Sequence, residues 1–170
     1  MSLQPHSQYP VAQRLFLIIS GLWVGSLLTV AYLVAPTIFA NLQDRQVAGM
    51  IAGAIFRVES YLSVLICVGL LVLANLLVNR KLNHYRAIRW ILLVMLVCSV
   101  LASFALIPYM DALREEAFLQ GMSVMASPSA TLFGRLHGIS SGLFLIQSLL
   151  GLYLIWRLSS LTVAAQARAD

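Results

Sequence analysis

At 170 residues, 61% hydrophobic, 10% charged and with a mean hydropathy of +0.90, the chain carries more apolar surface than one small water-soluble core encloses. Its formal net charge of +5 does not point to nucleic acid, because the basic residues are dispersed and the aromatics lie inside the apolar runs instead of beside them. Composition therefore excludes a soluble domain and a nucleic-acid binder, and makes the lipid bilayer the expected partner.

Four uncharged runs divide the chain: Leu15 to Gln43, Ser60 to Asn79, Trp90 to Met110, and Leu136 to Trp156. A spanning helix needs about 20 mainly apolar residues, since the hydrocarbon core is roughly 30 Å thick and a helix rises about 1.5 Å per residue. The expected fold class is all-α, an integral membrane four-helix bundle with spans at about 15–40, 59–79, 88–109 and 137–156. These spans make one membrane domain, residues 15–157, between an N-terminal segment, 1–14, and a tail, 158–170.

Met1 to Gln13 is polar, with two prolines, and is expected to lie disordered or along the cytoplasmic surface. The first run is longer than a signal-peptide core of about 7 to 15 residues, and Pro36 follows its small-residue site at Leu33-Val34-Ala35, so an uncleaved span is expected. Next, Val47, Met50, Ile51, Ala54 and Ile55 recur at helical spacing while Asp44, Arg45 and Arg57 stay off that stripe. This predicts an amphipathic helix in the first outer loop, capped by Asp44. Continued unbroken into the second span, it would be roughly 50 Å long and would need a break, a strong tilt or a protruding stalk.

Cys67 and Cys98 sit near the middles of spans two and three, as apolar packing residues rather than a disulfide framework. The third loop, Asp111 to Arg135, opens with a short helical piece around Ala112 to Gln120 and loosens through Gly121, Ser127, Pro128 and Ser129. Pro36 and Pro108 fall near the outer ends of spans, where a proline kinks a helix or ends it. Ser159 to Asp170 is expected to leave the bundle as the N-terminal segment does.

Four spans place the N-terminus, second loop and C-terminus on one side, with Arg14, Arg80, Lys81, Arg86, Arg89, Arg157 and Arg168; the other side holds Arg45, Arg57, Arg114 and Arg135. Cytoplasmic loops are enriched in Lys and Arg, so both termini are expected in the cytoplasm and the protein in the inner (plasma) membrane.

Small residues recur four apart at Gly21 and Gly25, and at Gly134, Gly138 and Gly142, with Ser141 close to the last. In lipid such residues let backbones approach, so these positions are predicted helix-packing faces, inside the bundle or toward a homo-oligomer or other membrane proteins. Glu59, Asp111, Arg114 and His137 converge near the outer interface in this topology. Ionisable groups at membrane depth are costly and usually paired, which makes the four a candidate site. His137, Glu59 and Asp111 are the candidate metal ligands, and the alternative chemistry is a proton relay between His137 and Glu59. The bland reading is structural pairing of Arg114 with Asp111 or Glu59, and Glu59 stabilising a helix N-terminus. No catalytic residue and no cofactor is expected: His137 with Ser140 or Ser141 lacks a nucleophile elbow, and no phosphate-cradling glycine loop occurs.

The run Gly21-Leu22-Trp23-Val24-Gly25, then Val34-Ala35-Pro36 and Phe39, Ala48-Gly49, Gly53 to Phe56, Pro108-Tyr109-Met110, Leu113-Arg114, Phe133, Leu136-His137 and Ser140-Ser141, resembles the transmembrane-protein-205-like bacterial membrane proteins. Their domain is described as domain of unknown function 4149, and the resemblance covers about Leu15 to Trp156. It implies a four-helix membrane protein and supplies no catalytic residues. The expected function is a non-enzymatic accessory or envelope component; the alternative is small-molecule or metal-ion transport through the outer polar cluster.

Overall fold

The computed structural model describes residues 10–166, and the side chains of 11–160. Among these residues there is no strand; four helical rods hold nearly everything. The first rod is α1 (Pro10–Thr29), a π-helical turn (Val30–Val34) and α2 (Ala35–Asn41). The second is α3 (Arg45–Asn79); the third is α4 (Tyr85–Leu101), a second π-helical turn (Ala102–Leu106) and α5 (Ile107–Leu119); the fourth is α6 (Ala130–Gln166). Each rod contains a stretch long and apolar enough to cross a membrane, so the chain is an integral membrane protein.

Asp44 starts α3 as expected, its Oδ1 accepting from the backbone N–H of Gln46 at 2.7 Å and of Val47 at 3.2 Å. The separate amphipathic helix does not exist as such. Nothing between Asp44 and Asn79 breaks a helix, and α3 runs through both segments for 35 residues, about 52 Å. Of the three alternatives this leaves a tilt or a protruding end, without a break. Of the predicted stripe, Val47, Met50 and Ile51 are exposed, whereas Ala48 and Ala52 are buried. The helical piece of the third loop is likewise the outer end of its span, as α5.

Both prolines act through the turn before them. Proline offers no N–H and its ring collides with the carbonyl four residues back. In each odd-numbered rod the helix widens there, and the residue just ahead of the proline donates five residues back, Ala35 to Val30 O and Ile107 to Ala102 O. The rods continue beyond Pro36 and Pro108 instead of ending.

The inner turn between α3 and α4 closes with Lys81 at φ 66° and the outer end of α5 with Gly121 at φ 70°. In both, backbone bonds return to the last helical carbonyls, Leu82 to Leu77 O and Met122 to Ala117 O. The fourth rod continues to Gln166, so much of the expected loose tail is helical; residues 1–9 and 167–170 lie outside the described residues.

Neighbours in sequence are neighbours in space, and α6 closes the ring against α1. The inner half is an apolar core built from Phe16, Trp23, Leu27, Cys67, Leu70, Ile88, Leu92, Met95 and Leu154. A smaller cluster of Ile107, Met110, Leu113 and Phe133 holds the outer end. Between the two lies a layer of polar side chains.

Candidate functional site

At the outer end, Arg57 and Arg114 both bind Asp111. Arg57 Nη2 pairs with Oδ2, and Arg114 Nη1 donates to Oδ1 at 2.9 Å. The Arg114 guanidinium lies 4.9 Å from the centroid of the Phe133 ring, and Phe133 stacks on His137 at 6.3 Å between centroids. Gly53 leaves room for the guanidinium, since a Cβ there would sit 3.0 Å from Arg114 Nη1 and make it shift. Asp111, Arg114 and His137 therefore belong to one ladder, with Arg57 as the member that sequence reading left out. Its signal was present: a cation on the rod packed against the one that carries Asp111.

Glu59 stands apart from the ladder. It is only 5% exposed, and its Oε1 lies at hydrogen-bond distance, 3.0 Å, from Ser26 Oγ on the first rod. Among the described residues no three His, Cys, Asp or Glu side chains gather where one metal ion could sit, so the proposed ligand set of His137, Glu59 and Asp111 is not assembled. With both carboxylate oxygens of Asp111 engaged by arginines, a metal there would also have to displace two cations.

Arg89 Nη1 donates to Asn75 Oδ1 at 3.0 Å near the far end of α3. Glu59 lies 16 residues from Asn75, about 24 Å along the helix.

Around it, all four rods contribute to a polar layer. Trp23 Nε1 donates to Ser63 Oγ at 2.8 Å. Ser60 and Ser103 share a hydroxyl–hydroxyl bond of 2.5 Å. Gln147 Nε2, on α6, donates to Ser99 Oγ at 2.6 Å and to the Met95 carbonyl at 3.3 Å. A cavity of about 20 Å³ opens between Ser60, Ser63, Ser140 and Gln147, and Phe56 and Phe144 wall it edge to face at 5.1 Å. That is room for about one water molecule. Ser20 Oγ, fully buried on α1, finds no hydrogen-bond partner among the described residues. Of these hydroxyls, sequence reading named only Ser140, beside His137, and did not join any of them into a layer. The available signal was spacing: Ser60 and Ser63, and Ser99 and Ser103, share a helix face inside runs that are otherwise apolar.

The glycines divide between the exterior and the interior of the bundle. A Cβ at Gly21, Gly25, Gly134, Gly138 or Gly142 would meet nothing within 4 Å, and Ser141 is exposed, so none of these packs inside the bundle. The close approach is at Gly151, where a Cβ would lie 3.0 Å from Val24 Cγ2 and 3.6 Å from Met95 Cε.

In comparison with known proteins, no curated protein and no solved structure matches the chain. A family profile described as domain of unknown function (DUF4149) matches residues 18–118, most of the first three rods, leaving α6 outside. The match holds Glu59, Ser26 and the Arg57–Asp111 pair, and does not extend to the transmembrane-protein-205-like kinship, which stays a resemblance. Matched over more than half of its length, the chain belongs to the DUF4149 family.

Proposed function

We propose that the protein is a non-enzymatic accessory component of the inner membrane that works by binding other membrane helices, with both termini cytoplasmic. The observation that carries this reading is the outward seam of α6. Gly134, Gly138, Ser141 and Gly142 lie bare on the bundle exterior, continued inward on the same face by Leu145, Leu149 and Leu152. Lipid tails are as apolar as leucine, so an exposed small-residue seam gains little against lipid and much against a helix that approaches closely. The orientation rests on the basic residues at the inner ends of the rods.

A photoreactive residue at Leu145, compared with one at Val72 on the exterior of α3, tests the reading in native membranes. Protein adducts at Leu145 and lipid adducts alone at Val72 are expected; no protein adduct at Leu145, or equal adducts at both, refutes it. A reporter fused after Asp170 that became active outside the cytoplasm would overturn the orientation. The alternative, transport or metal handling at the outer cluster, has weaker support because both arginines hold Asp111 closed.

A further inference from the structure

Ser26 carries one hydroxyl proton and has two partners. Its Oγ lies 2.8 Å from the Trp23 carbonyl and 3.0 Å from Glu59 Oε1. The carbonyl only accepts, and a hydroxyl hydrogen cannot point fully at two acceptors. Both contacts are satisfied together when Ser26 donates to Trp23 O and the carboxyl donates to Ser26 Oγ. Glu59 is 5% exposed and makes no ion pair among the described residues.

We propose that Glu59 and Ser26 form a proton-binding site inside the bundle, in which Glu59 is held as the neutral acid and donates its proton to Ser26 Oγ. Ionised, the carboxylate only accepts, and the Ser26 hydroxyl must turn from Trp23 O toward Glu59. The protonation state therefore decides which way the hydrogen-bond chain between α3 and α1 runs.

The ionisable groups on the elements packed about Glu59 leave the site uncompensated. Arg57, on its own helix, and Arg114, on α5, are both bound to Asp111. His137, on α6, stacks on Phe133, and Cys67 and Cys98 are buried toward the inner side. None of them hydrogen-bonds or ion-pairs with Glu59. Tyr32, Tyr61 and Tyr109 are exposed on the exterior. From α1 and α4 the neighbours at this level are neutral hydroxyl, indole and carbonyl groups. An ionised carboxylate without a cation in such surroundings would lose its hydration with no charge in exchange.

Infrared difference spectra of the full protein in lipid vesicles at neutral pH, wild type against Glu59→Gln, test the assignment. The expected result is loss of one protonated-carboxyl C=O band in the variant. Loss of ionised-carboxylate bands instead overturns the proposal. Ser26→Ala supplies a second reading that does not depend on the first variant folding. The acid loses its acceptor, so its C=O band is expected to persist and move to higher wavenumber; an unmoved band overturns the hydrogen bond proposed. Spectra in sodium and in choline buffers are expected to agree, and conversion to carboxylate bands by sodium would assign the site to a metal cation rather than a proton.

Discussion

Replacing Gly151 by alanine places a methyl group where α6 meets α1 and α4. The new carbon would lie 3.0 and 3.1 Å from the two Val24 methyls and at ordinary contact, 3.6 Å, from Met95 Cε. Methionine can move aside, but Val24 is 2% exposed and β-branched, so its rotamer on a helix has little freedom. Overpacking of this kind costs about 1–3 kcal/mol. Against it, exchanging glycine for alanine in a helix interior gains about 1 kcal/mol. The net expectation is destabilisation by about 1 kcal/mol. Gly142→Ala, with nothing within 4 Å of the new carbon, keeps the gain without the clash, and the two variants should differ by about 2 kcal/mol. Reversible unfolding in mixed micelles, titrated with a denaturing detergent and followed by helix content, measures both. In the double variant with Val24→Ala the clash disappears, so the cost of Gly151→Ala should shrink and the two changes should be non-additive. Equal stability of Gly151→Ala and Gly142→Ala, or strict additivity with Val24→Ala, would refute the packing argument.

Other consequences follow from the polar layer and the inner turn. Ser20→Ala removes a buried hydroxyl that has no partner among the described residues and is expected to stabilise the bundle by about 1 kcal/mol, read by the same titration; a loss of stability would mean that the hydroxyl is bonded. A double-mutant cycle of Trp23→Phe and Ser63→Ala should return a coupling of about 0.6 kcal/mol, the usual size for an interhelical hydrogen bond in a membrane, and zero coupling would remove the Trp23–Ser63 bond from the account. His84, in the inner turn with its ring 4.7 Å from Tyr85, has its pKa lowered from the ordinary 6.5 by loss of solvent around it. The folded state thus favours neutral His84: its contribution is fully present above that value and is lost as pH falls from there toward the lower, folded-state pKa. Stability should decline on acidification through this window in the wild type and less so in His84→Gln; identical pH profiles would exclude it.

Sequence alone was sufficient for the spans. Absence of charge over at least 20 residues in each run has one physical outcome in a membrane, a helix that satisfies its own backbone, and the four runs all became rods. The Asp44 cap was equally legible, because it depends on residues two and three positions away. So were the positions of disturbance at Pro36 and Pro108, although not their form: a missing N–H is local, but whether the helix ends, kinks or widens depends on what packs around it.

Tertiary structure decided which face of each rod turned inward. In water, hydrophobic periodicity separates core from solvent; in a bilayer both sides of a rod are apolar, and Gly138 on the outside reads like Gly151 on the inside. For the same reason the stripe of Val47, Met50 and Ile51 was readable as a stripe, but only the packing shows that it stays exposed. The polar layer was hidden because a serine in a helix can bond its own backbone, as Ser99 does to Met95 O, and only the meeting of rods shows which hydroxyls also reach across, as Ser60 reaches Ser103. Glu59 shows the difference at one residue. Its charge marked it in the sequence, but its separation from Asp111 and its bond to Ser26 depend on how α3 is rotated against α1 and α5, which no spacing within α3 encodes.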